Sequence, residues 1–546
     1  MVLTKNKLAM NYSTFTCLLS LLLISALSGC DSNEELSLSK KSVIYCTEGA
    51  PEGFNPQIIT SGTTIDATSN QLYNRLIEFN PVNNTIIPAI AKSWHVTRDG
   101  KMITFYLRKD VRFHNTDYFT PTRTLNADDV LFSFNRMLDP DNAYHLVSGG
   151  KYPFFQNSQL ADLIDSIEKI NDYTIRFRLS HPDSSFLANI GSSSAIILSL
   201  EYAENLITLD AMQNIDMLPI GTGPFKFKQY RSGAFIRYDP NLDYWREVSK
   251  LKQLVFDITP RDSGRLTKLL AGECDVIAYP IAHKKVNQHP NLLLESVTSF
   301  NVGYMGFNTY KAPFNNALVR QAIAFAIDKQ AILDTVYTGQ AQIANGLIPN
   351  SSWAYDKTIT PHEHSIEKAK KLLAQAGYSD GFTMQLWAMP IQRAYNPDAV
   401  TMAKLIQADL DKIGITVDIV SGYEWSTFLR KLSEGEHQSV LIGWSADHPD
   451  PDNFFSNLLS CAAALTGSNR TFWCDQKFDE LIEKALKTNN INKRKSYYSQ
   501  ALKLINKEVP LIPIAHSKRY QARVDTVKGD ILHPIGGITF SGVTKN

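Results

Sequence analysis

Two side chains stand out by where they sit relative to short apolar runs. Ser439 to Trp444 is apolar and short enough to be a buried strand, and it breaks into a loop carrying Asp447, Asp450, Asp452 and two prolines. Phe382, Met384, Leu386 and Ala388 alternate, Pro390 stops that run, and Arg393 follows before a helix opens near Asp398. In α/β lobes, ligands gather outside the carboxyl ends of strands, so Asp447 and Arg393 are each placed where a ligand would be met. An acid and a guanidinium in one lobe can hold a zwitterion such as a short peptide. The carboxylate takes the ammonium and the guanidinium fork takes the carboxylate in two-point fashion. A solvated acidic loop and a surface arginine fit the two strand ends equally well, and on those residues alone that plainer reading is preferred.

The elements that must position the pair are legible around it. Strand 382–389, a helix over 398–413 followed by Gly414, and strand 415–420 predict a β-α-β unit with parallel or near-parallel strands in one sheet. Val319, Ala322, Ile323, Ala326, Ile327, Leu333, Val336 and Tyr337 form a helical stripe. Ser365 caps a helix that Gly377 ends, and a last helix near 492–507 precedes the apolar 509–515 and a strand-and-turn segment from Tyr520 to Asn546. Earlier in the chain, Val43 to Cys46 reads as a strand, and Trp94 to Leu107 as a hairpin about Asp99-Gly100. Asn126 is placed as a helix cap, and Tyr173 to Leu179 alternates with Ile175, Phe177 and Leu179 on one face. No internal repeat or low-complexity tract is present.

A chain of 546 residues exceeds one ordinary core, so two or three domains are expected. A hydrophobic content of 44% with 20% charged residues describes a soluble globular protein, and a net charge of +1 argues against a nucleic-acid partner held by general electrostatics. The first residues read as a targeting signal: Lys5 and Lys7, then an apolar run from Phe15 to Leu27, too short to span a bilayer comfortably. Leu27-Ser28-Gly29-Cys30 resembles a bacterial lipobox, which makes Cys30 the lipidated new N-terminus after residues 1–29 are removed. Asp31 resembles the signal that retains a lipoprotein at the inner membrane of enteric bacteria. An ordinary secretory signal cut nearby is the alternative.

Cys17 leaves with the signal and Cys30 takes the lipid, so four cysteines remain in an exported protein, which points to two disulfides with three possible connectivities. Cys461 and Cys474 bracket a short polar loop and are paired on that ground, leaving Cys46 with Cys274. A zinc site is the rival, but no CxxC pair is present and an oxidising compartment disfavours free thiols. No GxSxG, HExxH, Walker loop or EF-hand pattern occurs, and Gly221 to Phe225 lacks the Gly-Lys-Ser/Thr of a phosphate loop. Prolines and a missing glycine spoil Asp447, Asp450 and Asp452 as a calcium loop, and His362-Glu-His364 reads as a solvated cap region. No metal, cofactor or catalytic constellation is therefore expected, and an exported hydrolase is a remote alternative.

Beyond these residues, a family likeness runs through the chain. Ala91-Lys-Ser-Trp94, Asp99-Gly100, Phe105 to Lys109 and Asn126 to Phe134 resemble the signature region of family 5 extracellular solute-binding proteins. Pro219 to Phe225, Asn301 to Asn308, Val319 to Ala322 and Asn453 to Phe455 fit the same pattern. Glu52 to Pro56, Ser61 to Thr64, Met389 to Pro397 and Gly443 to Phe455 resemble the dipeptide- and heme-binding branch. Phe119 to Arg123, Ser352 to Asp356 and Ile538 to Val543 resemble the Sap-type peptide transport branch, linked to antimicrobial-peptide resistance.

The resemblance implies a two-lobed α/β periplasmic-binding-protein clamp with an extra domain in its first lobe. Lobe one would be 40–80, 215–298 and 519–546, the extra domain 81–214, lobe two 299–518 and a tether 30–40. It implies a monomeric, lipid-anchored periplasmic protein at the inner membrane that captures short peptides, closes on them and delivers them to an ABC permease. Heme is the alternative ligand. By resemblance, Asp447 takes the ligand ammonium and Arg393 its carboxylate. Trp425 matches a pocket residue, Gly62 and Thr63 a loop approaching from the other lobe, and Tyr395 lines a side-chain pocket or serves a structural role. The four cysteines match the family's two disulfides. His448 and Pro449 stand where dipeptide proteins carry glycines, which puts strict dipeptide specificity in doubt.

Overall fold

The computed structural model describes residues 41–466 and 468–546, so the expected leader 1–29, tether 30–40 and lipid site Cys30 lie outside the described residues. The elements that matter for function are β1 (Ser42–Thr47), α1 (Gly62–Thr68), β2 (Asn301–Phe307) and β3 (Phe382–Ala388), followed by α2 (Ala399–Asp411) and β4 (Ile415–Val420). After them come α3 (Trp425–Ser433), β5 (Ser439–Ser445), α4 (Asp452–Leu459) and β6 (Leu511–Val524).

β3, α2 and β4 form the expected β-α-β unit. Asp398 caps α2 by accepting from the Thr401 amide at 2.9 Å, and Gly414 takes the left-handed conformation that lets the chain turn back. β3 and β4 pair in parallel from Phe382–Ile415 to Trp387–Val420. β5 joins the other side of β3, also parallel, with Ala388 opposite Leu441. The carboxyl ends of β3 and β5 therefore open on the same edge of the sheet, and both Arg393 and Asp447 leave from that edge. The helical stripe of residues 319–337 lies on two helices, Ala317–Ala326 and Lys329–Val336. Asp328 interrupts it by capping the second helix, accepting from the Ala331 amide at 3.0 Å.

β6 ties the whole sheet together. Its first half pairs with β2 and with Ala341–Ile343, and its second half with Val276–Ala278 and Leu292–Thr298. Beyond these the sheet continues through β1, which is parallel to Gln253–Ile258. The 518/519 boundary expected between lobes thus falls inside one unbroken strand.

Two large apolar clusters flank that strand, one from buried residues between Phe300 and Ala515, the other from residues between Val43 and Ala278 together with Val527, Ile531, Ile538, Phe540 and Val543. Residues of the 81–214 segment belong to the second cluster, so this segment packs on lobe one through a shared core. Its four-stranded antiparallel sheet includes the Ala91–Val96/Met102–Leu107 hairpin, and Asn126 caps the helix Ala127–Leu138 in a reciprocal box with Asp129. A third, small cluster surrounds Cys46 and Cys274, which are bonded to each other, as are Cys461 and Cys474.

The lobes are closed on one another. The Ser184 amide donates to Leu486 O at 2.9 Å, and Thr466 Oγ1 donates to Asn157 Oδ1 at 2.6 Å, both joining the 81–214 segment to lobe two.

Candidate ligand cleft between the lobes

A cavity of about 140 Å³ lies between the lobes, walled by α1 on one side and by the carboxyl ends of β3 and β5 on the other. Arg393, Tyr395, Trp425, Asp447 and Gly62 all line it. Its floor is set by a pair of glycines opposite each other in β2 and β5, Gly303 and Gly443. A Cβ at Gly443 would overlap the Tyr395 ring, and one at Gly303 would overlap the Tyr395 carbonyl. The two glycines therefore let the 393–396 turn lie directly on the sheet. Tyr337 Oη donates to Tyr395 O at 2.6 Å and Ser517 Oγ donates to Ala394 O at 2.5 Å, which pins the turn beside β6. Tyr395 holds this turn in place as well as facing the cavity.

The turn carries the Arg393 guanidinium across to lobe one. Nη1 lies 2.6 Å from Glu48 Oε1, donates to Tyr279 Oη at 3.2 Å and is 4.0 Å from Asp66 Oδ2. Burial works against the charge, but Glu48 leads the groups that favour it, and the net effect keeps the guanidinium firmly protonated. The two-point fork expected for a ligand carboxylate is half engaged already: Nη1 faces Glu48, while Nη2 is buried and has no hydrogen-bond partner. Gly62 opens α1 against this group, where a Cβ would come within 2.9 Å of Nη2. Thr63, by contrast, sits behind the lining. Its methyl lies against Gly49, and its hydroxyl is 3.2 Å from Ser61 Oγ.

Asp447 follows β5 by two residues, with its amide donating to Asn453 Oδ1 at 3.1 Å. Among the described residues no cation pairs with its carboxyl group. Burial raises its pKa to about 7, with the neighbouring Asn453 side chain opposing the shift. Trp425 begins α3, stacked on Phe428 with ring centroids 5.8 Å apart, and its buried indole N–H has no partner. His448 is turned out of the cleft. Its Nε2 is 3.0 Å from Asn189 Oδ1, its ring stands nearly perpendicular to that of Phe154, and burial lowers its pKa to about 4.

Five further charged or polar groups belong to the site: Glu48, Asp66, Tyr279, Arg470 and Arg519. Glu48 is within reach of the sequence, since it directly follows β1 and the strand-end rule applies to it unchanged. Asp66 and Arg519 face each other with Nη2 3.1 Å from each carboxylate oxygen, and Tyr279 stacks beside both arginines. Burial raises the Asp66 pKa, while Arg519 and Arg393 oppose it. Arg470 reaches the cleft from the loop closed by Cys461–Cys474. Mid-strand arginine, mid-helix aspartate and loop arginine carry no spacing signal of their own.

The whole arrangement is one of unmatched ends: a partnerless guanidinium prong and indole N–H, and a carboxyl group without a cation, facing one enclosed space. Residues 85–465 match the family described as bacterial extracellular solute-binding proteins, family 5 Middle. The dipeptide-binding protein of Escherichia coli K12 is 44% identical over 93% of this chain and 95% of its own. Heme-binding protein A of Haemophilus influenzae is 42% identical over 94% and 93%. The Escherichia coli K12 protein named "Probable ABC transporter periplasmic-binding protein SapA" is 38% identical over 95% of each. Among solved structures, the dipeptide binding protein of Pseudoalteromonas sp. SM9913 in complex with Met-Leu superimposes with a TM-score of 0.91. It is 46% identical and covers 92% of this chain and 100% of its own.

Proposed function

The chain belongs to the family 5 bacterial extracellular solute-binding proteins, and from that premise we propose that it captures short peptides as zwitterions between its lobes. Asp447 takes the peptide ammonium and Nη2 of Arg393 its carboxylate, with Trp425 N–H as a further donor and Gly62 giving the guanidinium room. The observation that carries this reading is the buried, partnerless Nη2 of Arg393 sharing one cavity with the uncompensated Asp447. A peptide with free ends supplies both missing charges, and burial makes each charge-assisted hydrogen bond count. The likeness to dipeptide-binding proteins, one of them holding Met-Leu, supports the same ligand class. A heme reading has no comparable support in the cleft, since His448 is turned to Asn189.

In this role the protein hands its cargo to an inner-membrane ABC permease and is held near it by a lipid on Cys30. It acts as a monomer. Closure, with the 81–214 segment and lobe one meeting lobe two, is the state the permease receives.

Calorimetry with Met-Leu, its C-terminal amide and its N-acetyl form tests the reading. The free dipeptide binds, and each blocked form loses roughly a hundredfold or more, as expected for one buried charge left unpaired. Equal binding of free and blocked forms, or no binding at all, overturns it.

A further inference from the structure

The cleft does not end at Asp447. A second cavity of about 250 Å³ opens behind it, and Asp447 and Gly536 belong to the walls of both. We propose that the side chain of the peptide's first residue enters this second cavity, and that Arg75 and His533 there select a side chain that accepts hydrogen bonds, as in glutamine or glutamate. This rests on the zwitterion reading, because it is the ammonium on Asp447 that brings the first Cα to the junction.

The wall beyond Asp447 has donors to spare. Arg75 is buried, with Nη1 donating to Ser69 O at 3.3 Å and Nη2 to Asn70 Oδ1 at 3.0 Å, while its Nε–H has no partner. Nε2 of His533 is likewise buried without a partner. Burial lowers the His533 pKa to about 4, so at neutral pH the ring is uncharged and offers a single N–H, as the tautomer directs. Two guanidiniums share the one carboxylate of this wall: Glu78 accepts from Arg246 Nη1 at 2.7 Å and lies 3.7 Å from Arg75 Nη2. Once Asp447 is neutralised by the ligand ammonium, the cavity keeps a net positive charge and orphaned donors. An acceptor relieves both deficits, an alkyl chain neither, and a lysine side chain adds to the excess.

The test is calorimetry of the full-length mature protein with Gln-Leu, Glu-Leu, Met-Leu and Lys-Leu, four ligands identical except for the first side chain. Gln-Leu and Glu-Leu are expected to bind about tenfold or more tighter than Met-Leu, with Lys-Leu the weakest. The ratio of Gln-Leu to Met-Leu affinity should fall to within about threefold in His533→Phe, and in Arg75→Met should that buried variant fold. His533 lies in a loop outside the regular elements, so its variant carries the test alone if necessary. Equal affinity for all four, or a ratio that His533→Phe leaves intact, overturns the side-chain assignment while the binding of Met-Leu keeps the zwitterion reading. Failure of every dipeptide to bind overturns both.

Discussion

Arg393 of lobe two and Glu48 of lobe one face each other across the cleft, Nη1 to Oε1 at 2.6 Å, with both side chains almost wholly buried. The pair makes Arg393 part of the interface between lobes as well as the group proposed to hold a ligand carboxylate. Arg393→Ala should therefore lose stability along with binding, by roughly 3–5 kcal/mol, because Glu48 is left buried without its cation beside Asp66. Asp447→Asn breaks no ion pair and removes a carboxyl whose ionisation burial opposes, so it should lose binding while the denaturation midpoint of the ligand-free protein holds or rises at neutral pH. Equal midpoints for the two variants would contradict the assignment.

Asp447 should make binding pH-dependent. Its ligand-free pKa stands at about 7, and an adjacent ammonium favours the ionised form. Below pH 7 the carboxyl must shed a proton to bind, so affinity for a free dipeptide falls by up to about tenfold per pH unit. Above pH ~8 the ligand's own amine deprotonates and affinity falls again. For the empty protein the sign reverses: the raised pKa contributes stability that is full below the unfolded value near 4 and lost as pH rises through about 7. Asp447→Asn should remove the acid limb of the binding profile. Binding that is flat from pH 5 to 7 in the wild type would rule this out.

Gly62→Ala places a methyl 2.9 Å from Nη2 of Arg393, whose flexible end can yield. It should weaken ligand binding and, because the methyl also lies 3.0 Å from Nη1, loosen the Glu48 pair at a smaller cost in stability than loss of the arginine. Gly443→Ala meets the Tyr395 ring and the Val302 carbonyl, which cannot move independently of the sheet, and should destabilise by at least about 1–3 kcal/mol. Paired melting and binding measurements separate the two cases.

The two disulfides should differ in worth. Cys46–Cys274 spans 228 residues and Cys461–Cys474 spans 13, so loop entropy gives about 5 and about 3 kcal/mol respectively. Replacing the short bridge by serines should also impair binding, since that loop carries Arg470 into the cleft. Denaturant midpoints and calorimetry on the two double-serine variants check both statements.

Period and punctuation made much of lobe two readable in advance. The alternation of Phe382 to Ala388, the Asp398 cap and Gly414 specify β3-α2-β4 locally, and the strand-end rule then reaches Arg393 and Asp447. What could not be read is whatever depends on which face meets which. Half of the Arg393 fork belongs to Glu48, some 345 positions away in the chain (393 against 48). His448 looks like a cleft residue from its neighbours, yet the turn at Pro449 and the nearness of Asn189 direct it elsewhere. Thr63 shares a segment with Gly62, but in the first turn of α1 successive side chains point about 100° apart, so one faces the guanidinium and the other Gly49. Tertiary placement, not local propensity, decided each of these.

The chain that follows β6 makes the two lobes differ in how far apart in sequence their core residues lie. Lobe two draws its core from a single uninterrupted stretch ending at Ala515. Lobe one needs Val527, Ile531, Ile538, Phe540 and Val543, the last apolar residues of the chain, to close over material made some five hundred residues earlier, such as Val43 and Tyr45. Lobe two can thus close its core from one continuous segment, whereas the core of lobe one joins residues that lie far apart in the sequence. The cleft, lined from both lobes, requires that long-range closure as well as the local one.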